Sequence, residues 1–405
     1  MGSKALIRLL IVLAIIGAIA AILHFAGSGG GVSTVSSTTD KKKVIEAFPI
    51  NDVASIRVSA PDGEVTLTKG ESAWEIAERG GYPADTGPIS DFLKTVWDLN
   101  VVQVIPIGRS QYGRLGLLGK DEGAPEDETA TLLTFKGADD KELGQLWLGK
   151  VYERSENRPN PFGGGMATSE AGRYVKTGAS NTVYLVGETF ADVNSDPADW
   201  LKKDFFKVDQ ITVISVNTGD KEKDWKLTRK TAADEFSLVG AAEGEELDTT
   251  KTTPIRGSFS NPQMEDVFSG AEAEKNKTDK ATFQIKTAEG FSYTIKIGEK
   301  NDLNELPLTM TVDGGFEEKR KQGEEESDEE KEKLDKEFEA ELTRLKEKLA
   351  DEKKLEGHVF KIRSYIVDSI LKERSELLKV PEEAEGADGE EIAPGVTLPI
   401  PQPAP

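Results

Sequence analysis

The chain has 405 residues, which is enough for two or three domains with apolar cores of their own. Its 51 Lys and Arg against 73 Asp and Glu give a net charge of −22, which argues against nucleic-acid binding because that requires basic patches. With no Cys and only His24 and His358, disulfides and Cys-ligated metals are excluded, and histidine triads or multi-His sites nearly so. We therefore expect no cofactor and no metal.

The N-terminus predicts a membrane anchor over residues 1–26. Leu9–Ala26 is an apolar run whose helical length of about 27 Å approaches the hydrocarbon thickness of a bilayer. Lys4 and Arg8 precede it, which favours an N-terminus in the cytoplasm and a chain that continues on the other side. The alternative is a cleaved signal peptide, but the small-residue triplet Ala18–Ala20 lies inside the run, so we favour an uncleaved single-pass helix.

Residues 27–47 are predicted to form a linker. Gly27–Thr39 is rich in Gly, Ser and Thr without periodicity, and the folded part is expected to begin near Phe48.

A first α+β unit is predicted over residues 48–206. Alternating apolar residues indicate strands, and Ile89, Phe92, Leu93, Val96 and Leu99 form one face of a helix that Asp85 would cap. A second helix is expected around Asp199–Lys203. The predicted strands are Val53–Val58, Glu64–Thr68, Ala73–Ile76, Thr131–Phe135, Leu143–Leu148, Arg173–Lys176 and Thr182–Val186.

The same order of elements returns over residues 207–379, which predicts a tandem duplication. The final match continues into a predicted helix through Ile366, Ile370 and Leu371. In chain order the matches are Val208–Val213 to Val53–Val58, Trp225–Thr228 to Val65–Thr68, Glu235–Leu238 to Ala73–Ile76, Leu247–Thr250 to Ala84–Gly87, Ala281–Ile285 to Ala130–Phe135, Tyr293–Gly298 to Leu146–Gly149, and His358–Ile362 to Thr182–Val186.

The charged segment 317–356 is predicted to be an insertion between the strands Leu308–Val312 and His358–Ile362. Its apolar residues follow helical spacing and are too few for a free-standing coiled coil. Three arrangements stay open: packing on its own unit, docking on another subunit, or a solvated arm. The stripe consists of Leu334, Phe338, Leu342, Leu345 and Leu349.

The tail 380–405 contains six Pro, six acidic residues and no basic residue, which predicts an extended or disordered segment. Residues 317–405 hold 16 basic and 26 acidic residues, a net of −10 out of −22. Nearly half of the charge excess therefore belongs to the insertion and the tail, where we expect a partner to bind.

The first copy resembles the bacterial domain-of-unknown-function family 4340. The resemblance is carried by the N-terminal anchor, the strands Val53–Val58 and Val65–Thr68, the Trp74 strand, the step Pro83–Asp85 before a helix, the strand Thr182–Val186 and the Trp200–Lys203 ending. It covers about Phe48 to Leu378. It implies an auxiliary subunit encoded beside ABC-type transporter components similar to those of gliding machinery, in the inner membrane with the bulk of the chain periplasmic. No site residues are implied.

Several features that suggest chemistry have simpler interpretations. Asp85, Asp91 and Asp98 cannot be placed from the sequence as a carboxylate pair for acid and base catalysis. Gly163–Gly165 lacks the spacing of a phosphate-binding loop. The acidic runs near Glu324 lack the pattern of a calcium-binding loop. The Trp residues are expected in the core. We predict no catalytic, cofactor-binding or metal residue.

Three functions are compatible with these patterns. The first is a non-enzymatic, membrane-anchored extracytoplasmic subunit of an ABC-type export or gliding-like system. The second is a module that binds envelope polysaccharide or protein. The third is a carboxylate-dependent hydrolase, which requires two carboxylates about 5–10 Å apart in a cleft.

Overall fold

A computed structural model describes residues 42–71, 73–159, 166–276, 278–323 and 326–379 of the chain. The predicted anchor 1–26, most of the linker 27–47, Gly163–Gly165 and the tail 380–405 lie outside these ranges. None of the helices within these ranges has the length and apolar character to span a bilayer. The folded body begins at Lys43.

The first sheet has nine antiparallel strands in the order β4-β3-β2-β1-β6-β7-β8-β9-β5. Its centre follows the predicted alternation, since Ile56 of β1 pairs with Leu67 of β2 and Phe135 of β6, and all three are buried. The strands are β1 Ser55–Ser59, β2 Glu64–Lys69, β3 Trp74–Ile76, β4 Tyr82–Pro83, β5 Val101–Ile105, β6 Thr131–Lys136, β7 Glu142–Pro159, β8 Met166–Thr177 and β9 Val183–Val186.

The second sheet has eight antiparallel strands in the order β12-β11-β10-β14-β15-β16-β17-β13. Ile214 of β10 pairs with Leu227 of β11 and Ile285 of β14, again in the core. The strands are β10 Ile211–Asn217, β11 Trp225–Thr228, β12 Ser237–Leu238, β13 Met264–Phe268, β14 Ala281–Thr287, β15 Phe291–Ile297, β16 Glu305–Gly314 and β17 Val359–Arg363.

Apart from β4, the two sheets have the same strand order. Even an irregularity recurs, because the register shifts between Val101 and Gln103 of β5 and between Met264 and Asp266 of β13. Two antiparallel sheets with a few helices confirm the predicted α+β class, and their shared order is consistent with tandem units.

The predicted match of Val208–Val213 to Val53–Val58 is three residues out of register. The strand β10 starts at Ile211 because Gln210 has a φ of 51°, in the left-handed region, where extended backbone cannot continue. Ile214 therefore occupies the place of Ile56. The error arose because apolar residues recur at a spacing of three, at Val208, Ile211 and Ile214.

Helix α1 spans Thr86–Asp98 and begins as predicted. The side chain of Asp85 accepts a hydrogen bond from the Gly87 N–H at 3.0 Å, which satisfies one of the free donors of the first turn. The predicted apolar face is buried, and the ring of Phe92 lies 6.0 Å from that of Phe135.

The second unit repeats this cap with a shorter helix, α2, at Thr249–Thr252. Asp248 accepts from the Thr250 N–H at 2.9 Å, but Pro254 follows within one turn and the chain continues as a 3-10 turn over Thr253–Gly257. Proline has no N–H to donate to the preceding turn, so α2 stops early. Helix α3 spans Gly270–Lys275.

The predicted helix around Asp199–Lys203 is wrong. The segment forms a 3-10 turn, Pro197–Trp200, after which Leu201 pairs with Ala84 just before α1. The chain must extend at Leu201 to make this bridge, which is incompatible with a continuing helix.

The predicted helix through Ile366, Ile370 and Leu371 is wrong for the same reason. The chain forms 3-10 turns at Ser364–Ile366 and Arg374–Leu377, and Leu378 then pairs with Leu247 just before α2. Each unit thus ends on a bridge to the residue that precedes its helix cap.

The two sheets share one continuous apolar core. At their junction, Arg79 makes two hydrogen bonds to the Asp266 carboxylate, at 2.6 and 2.8 Å. Beside this pair the ring of Tyr82 lies 5.0 Å from that of His358 and 6.1 Å from that of Phe360. The first unit therefore covers β13 and β17 of the second.

The charged insertion contains helix α4, Asp328–Lys353, in the connection between β16 and β17. These strands pair antiparallel, with Leu308 opposite Phe360, as the predicted position of the insertion requires. Ser327 and Glu330 form a capping box at its start.

Candidate functional site

The carboxylates singled out in the sequence do not converge on a metal. Among the described residues no group of three or more His, Asp or Glu is placed to hold an ion. Asp85 caps α1, Asp91 pairs with Lys94 at 3.0 Å, and Asp98 pairs with Lys43 at 2.5 Å.

A groove of about 860 Å³ runs along the start of α1 and the loop after β9. Its floor contains the rings of Phe92, Phe190 and Trp200. The groove carries no lysine or arginine in its lining, and its carboxylates are Asp85, Asp91, Glu188, Asp192 and Asp199. Its charge would suit a cationic group, but the arrangement does not assign two of its carboxylates to acid and base roles.

The insertion forms the first candidate interaction surface, and its C-terminal half is fixed to the body. Leu345 is buried, and Leu349 packs against the core. Nearby, the ring of Phe316 contacts that of Phe291 at 5.0 Å. This half therefore packs on its own unit, which was one of the three arrangements left open.

A buried carboxylate secures the same half of α4. Glu352 accepts hydrogen bonds from the Lys207 N–H at 3.0 Å and from the Tyr293 hydroxyl at 2.7 Å. Burial raises the pKa of Glu352, and these bonds together with the Lys348 ammonium at 3.9 Å act in the opposite direction. Burial also raises the pKa of Tyr293, to which the adjacent carboxylate contributes.

Charged side chains tie α4 to the second sheet around this root. Arg344 pairs with Glu289 at 2.7 Å, and Lys353 lies 3.6 Å from Asp313. The Lys348 ammonium donates to the Lys207 carbonyl at 2.8 Å and sits 4.6 Å from the ring centre of Phe291.

The N-terminal half of α4 is held differently. Arg320 pairs with Glu326 and with Asp335 at 2.8 Å, which fastens the preceding segment to the first turns of the helix. The hydrogen bonds from Arg320 and the Gly323 N–H lower the pKa of Glu326 to about 2. Leu334 is exposed, and Phe338 and Leu342 are half-buried. We call these three residues the α4 tip.

The second candidate surface lies where the chain enters the body. Lys43 forms a β-bridge with Asn100, pairs with Asp98 and places its ammonium 5.1 Å from the ring centre of Trp97. Trp97 is 51% exposed, so the prediction that it belongs to the core is wrong. It lies about 100° around the helix from the buried Val96, outside the apolar face.

Edge strand β5 begins three residues after α1 and is also exposed. Val102 and Val104 are 65% and 48% exposed, on a strand whose sequence VVQVI carries no charge. Sequence reasoning missed β5, although its run of β-branched residues is a signal for a strand. We call Trp97, Val102 and Val104 the β5 face; they account for three of the eight large apolar side chains that are exposed among the described residues.

Comparison with known proteins identifies the family. The family described as "Domain of unknown function (DUF4340)" matches residues 74–287, from β3 to the end of β14. This is more than half of the 405 residues and includes parts of both sheets. No curated protein and no solved structure matches the chain. The chain belongs to the DUF4340 family, in agreement with the resemblance noted in its sequence.

Proposed function

We propose that this protein is a non-enzymatic auxiliary subunit of an ABC-type export or gliding-like envelope system. In this proposal the apolar run Leu9–Ala26 anchors it in the bacterial inner membrane, and the duplicated α+β body lies in the periplasm. The apolar run, the two positive charges before it and the family resemblance support this placement.

The arrangement of α4 carries the proposal. One half of this helix is rooted in the body by Leu345 and Glu352, whereas the α4 tip presents apolar side chains on a strongly charged helix. A long helix that is fixed at one end presents a defined surface to a partner at low entropic cost. An apolar stripe of this kind suits a groove or helix on another subunit.

The proposal is tested by co-purification from native membranes. The full-length protein, solubilised in mild detergent, is expected to bring down an ABC ATPase and a permease, identified by mass spectrometry. The double substitution Leu334→Asp and Phe338→Asp should abolish this association, because it places charges in an apolar contact.

Leu303→Asp is the matched control, since Leu303 is also exposed and lies in the β15–β16 connection. It should leave the co-purified subunits unchanged. Recovery of the protein alone would contradict the proposal. Binding to isolated envelope material in the absence of transporter subunits would favour the second candidate, an envelope-binding structural module.

A further inference from the structure

The β5 face is unusual for the edge of a sheet. Edge strands are normally protected by charges, prolines or covering elements, because an uncharged edge invites unwanted contacts. Strand β5 offers Val102, Gln103 and Val104, all exposed and uncharged, and it follows closely in the chain on the exposed Trp97 at the end of α1.

The equivalent strand of the second unit shows how the same position is protected. Strand β13 carries Glu265 and Asp266 at its bulge, and both are paired with arginines. By register, Val267 corresponds to Val104, and it is 2% exposed against 48%. Among the described residues, this edge is thus covered in the second unit and open in the first.

The point of chain entry indicates what covers the open edge. Lys43 is bridged to Asn100, directly before β5. Only residues 27–42 separate Lys43 from the apolar run Leu9–Ala26, and sixteen residues reach at most about 55 Å when fully extended. Lys43, from which the chain leads back to the predicted anchor, therefore contacts Trp97 of the β5 face and lies beside the start of β5.

We propose that the β5 face rests on the lipid headgroup layer of the membrane that holds the anchor. Tryptophan is enriched at this layer because its ring is apolar and its N–H is polar, and lysine stems lie along apolar surface while the ammonium reaches water. Trp97, capped by Lys43, has this chemistry. The inference rests on the proposed anchor.

The charge of the molecule agrees with a contact of this kind. The chain is strongly acidic, so an anionic lipid surface would repel most of it. Within Trp97–Ile105 the only charged side chain is Asp98, which is paired with Lys43. The β5 face therefore approaches lipid without a net charge to oppose it.

The absence of cysteine allows a direct test in the full-length protein. Val102→Cys carries a fluorescent label, and Leu303→Cys is the control because Leu303 is 67% exposed against 65% for Val102. Both proteins are reconstituted in liposomes with and without lipids that bear a headgroup nitroxide quencher. The label at position 102 should be quenched several-fold more strongly than the label at position 303. Adding Val104→Asp should weaken this quenching.

Flotation of the liposomes distinguishes failure of the proposed lipid contact from failure of the proposed anchor. If the protein does not float with the vesicles, the anchor and the proposed membrane location both fail. If it floats but positions 102 and 303 are quenched equally, the lipid contact is overturned and the anchor stands. A third outcome is a label at position 102 that is shielded from water in native membranes but not in liposomes that contain no other protein. That result would also overturn the lipid contact, and it would assign the β5 face to a protein partner.

Discussion

At the scale of single residues, Glu352 is the most constrained titratable group of the insertion. It is buried, and it accepts hydrogen bonds from the backbone N–H of Lys207 and the hydroxyl of Tyr293. Burial disfavours its charged form and is the largest cause of its raised pKa. The folded protein consequently holds this proton to a higher pH than the unfolded chain does.

The pH dependence of stability follows from this shift. Between the unfolded and folded pKa values of Glu352 the folded state binds more protons, so this carboxyl makes the free energy of unfolding fall as the pH rises. Glu352→Gln keeps a carbonyl oxygen that accepts from the Lys207 N–H, places its NH2 group against the Tyr293 hydroxyl, which can accept that bond, and removes the titration. The variant should therefore gain stability relative to the wild type as the pH is raised from 5 to 8, measured by urea unfolding in detergent.

Glu347→Gln, at an exposed position of the same helix, controls for the change in net charge. Parallel curves of stability against pH for Glu352→Gln and the wild type would refute the assignment of this pH dependence to Glu352.

At the scale of elements, α4 divides into a docked half and a presented half. Leu345 is 8% exposed and belongs to the core, whereas Leu334 is 37% exposed. Both residues belong to one stripe of helical spacing in the sequence, so the difference between them is a property of the tertiary structure alone.

Truncation of these two leucines should affect the free energy of unfolding differently in the docked and presented halves of α4. Leu345→Ala is expected to lower the free energy of unfolding by about 2–4 kcal/mol, because it removes buried methyl groups and leaves a cavity. Leu334→Ala should cost less than about 0.5 kcal/mol, as is usual at an exposed site. Urea unfolding of both variants measures the contrast, and equal costs would show that the docked half is misplaced.

The sequence predicted those elements whose signals are local. The cap Asp85 and the apolar face of α1 were recognisable because helix ends and helical spacing depend on neighbouring residues. The edge strands β5 and β13 were missed, since each is defined by pairing with a strand far along the chain, and MEDVF in β13 does not alternate.

The candidate surfaces were only partly predictable for the same reason. The stripe of α4 was recognisable from helical spacing, and its place between β16 and β17 followed from the duplicated order. The packing of its C-terminal half on its own unit could not be predicted, because it depends on the contacts of Glu352 with Tyr293 and Lys207. Trp97 was assigned to the core because the tryptophans mostly stand at apolar positions of predicted strands and helices, whereas its exposure depends on the helix face that α1 turns to the sheet.

At the scale of the whole molecule, the junction of the two sheets depends on a pair that is largely shielded from water. The Arg79 and Asp266 side chains are 18% and 14% exposed and meet through two hydrogen bonds. A bidentate pair in this setting is screened less than a surface pair and is more costly to break.

Loss of this pair should weaken the molecule as a whole. Arg79→Ala is expected to reduce the free energy of unfolding by about 2 kcal/mol, because it leaves the Asp266 carboxylate without its bidentate partner, held by the Val267 N–H at 2.8 Å and by Lys361 at 3.8 Å. Arg57→Ala removes the exposed pair with Glu64 within the first sheet and should cost less than about 1 kcal/mol. Chemical unfolding compares the two variants. A cost for Arg79→Ala no larger than for Arg57→Ala would contradict the role of this junction.

The connection that contains α4 also distinguishes the folding of the two units. In the first unit Lys176 pairs with Val183, so a short loop closes the hairpin, whereas in the second Leu308 pairs with Phe360. The second loop is roughly eightfold longer, which adds about 2 kcal/mol of loop-closure entropy. Docking of Leu345 and Leu349 divides that loop into shorter pieces and offsets the cost by burying apolar surface. Helices form locally and fast, so we expect α4 to dock before β17 joins its sheet and the second unit to close after the first.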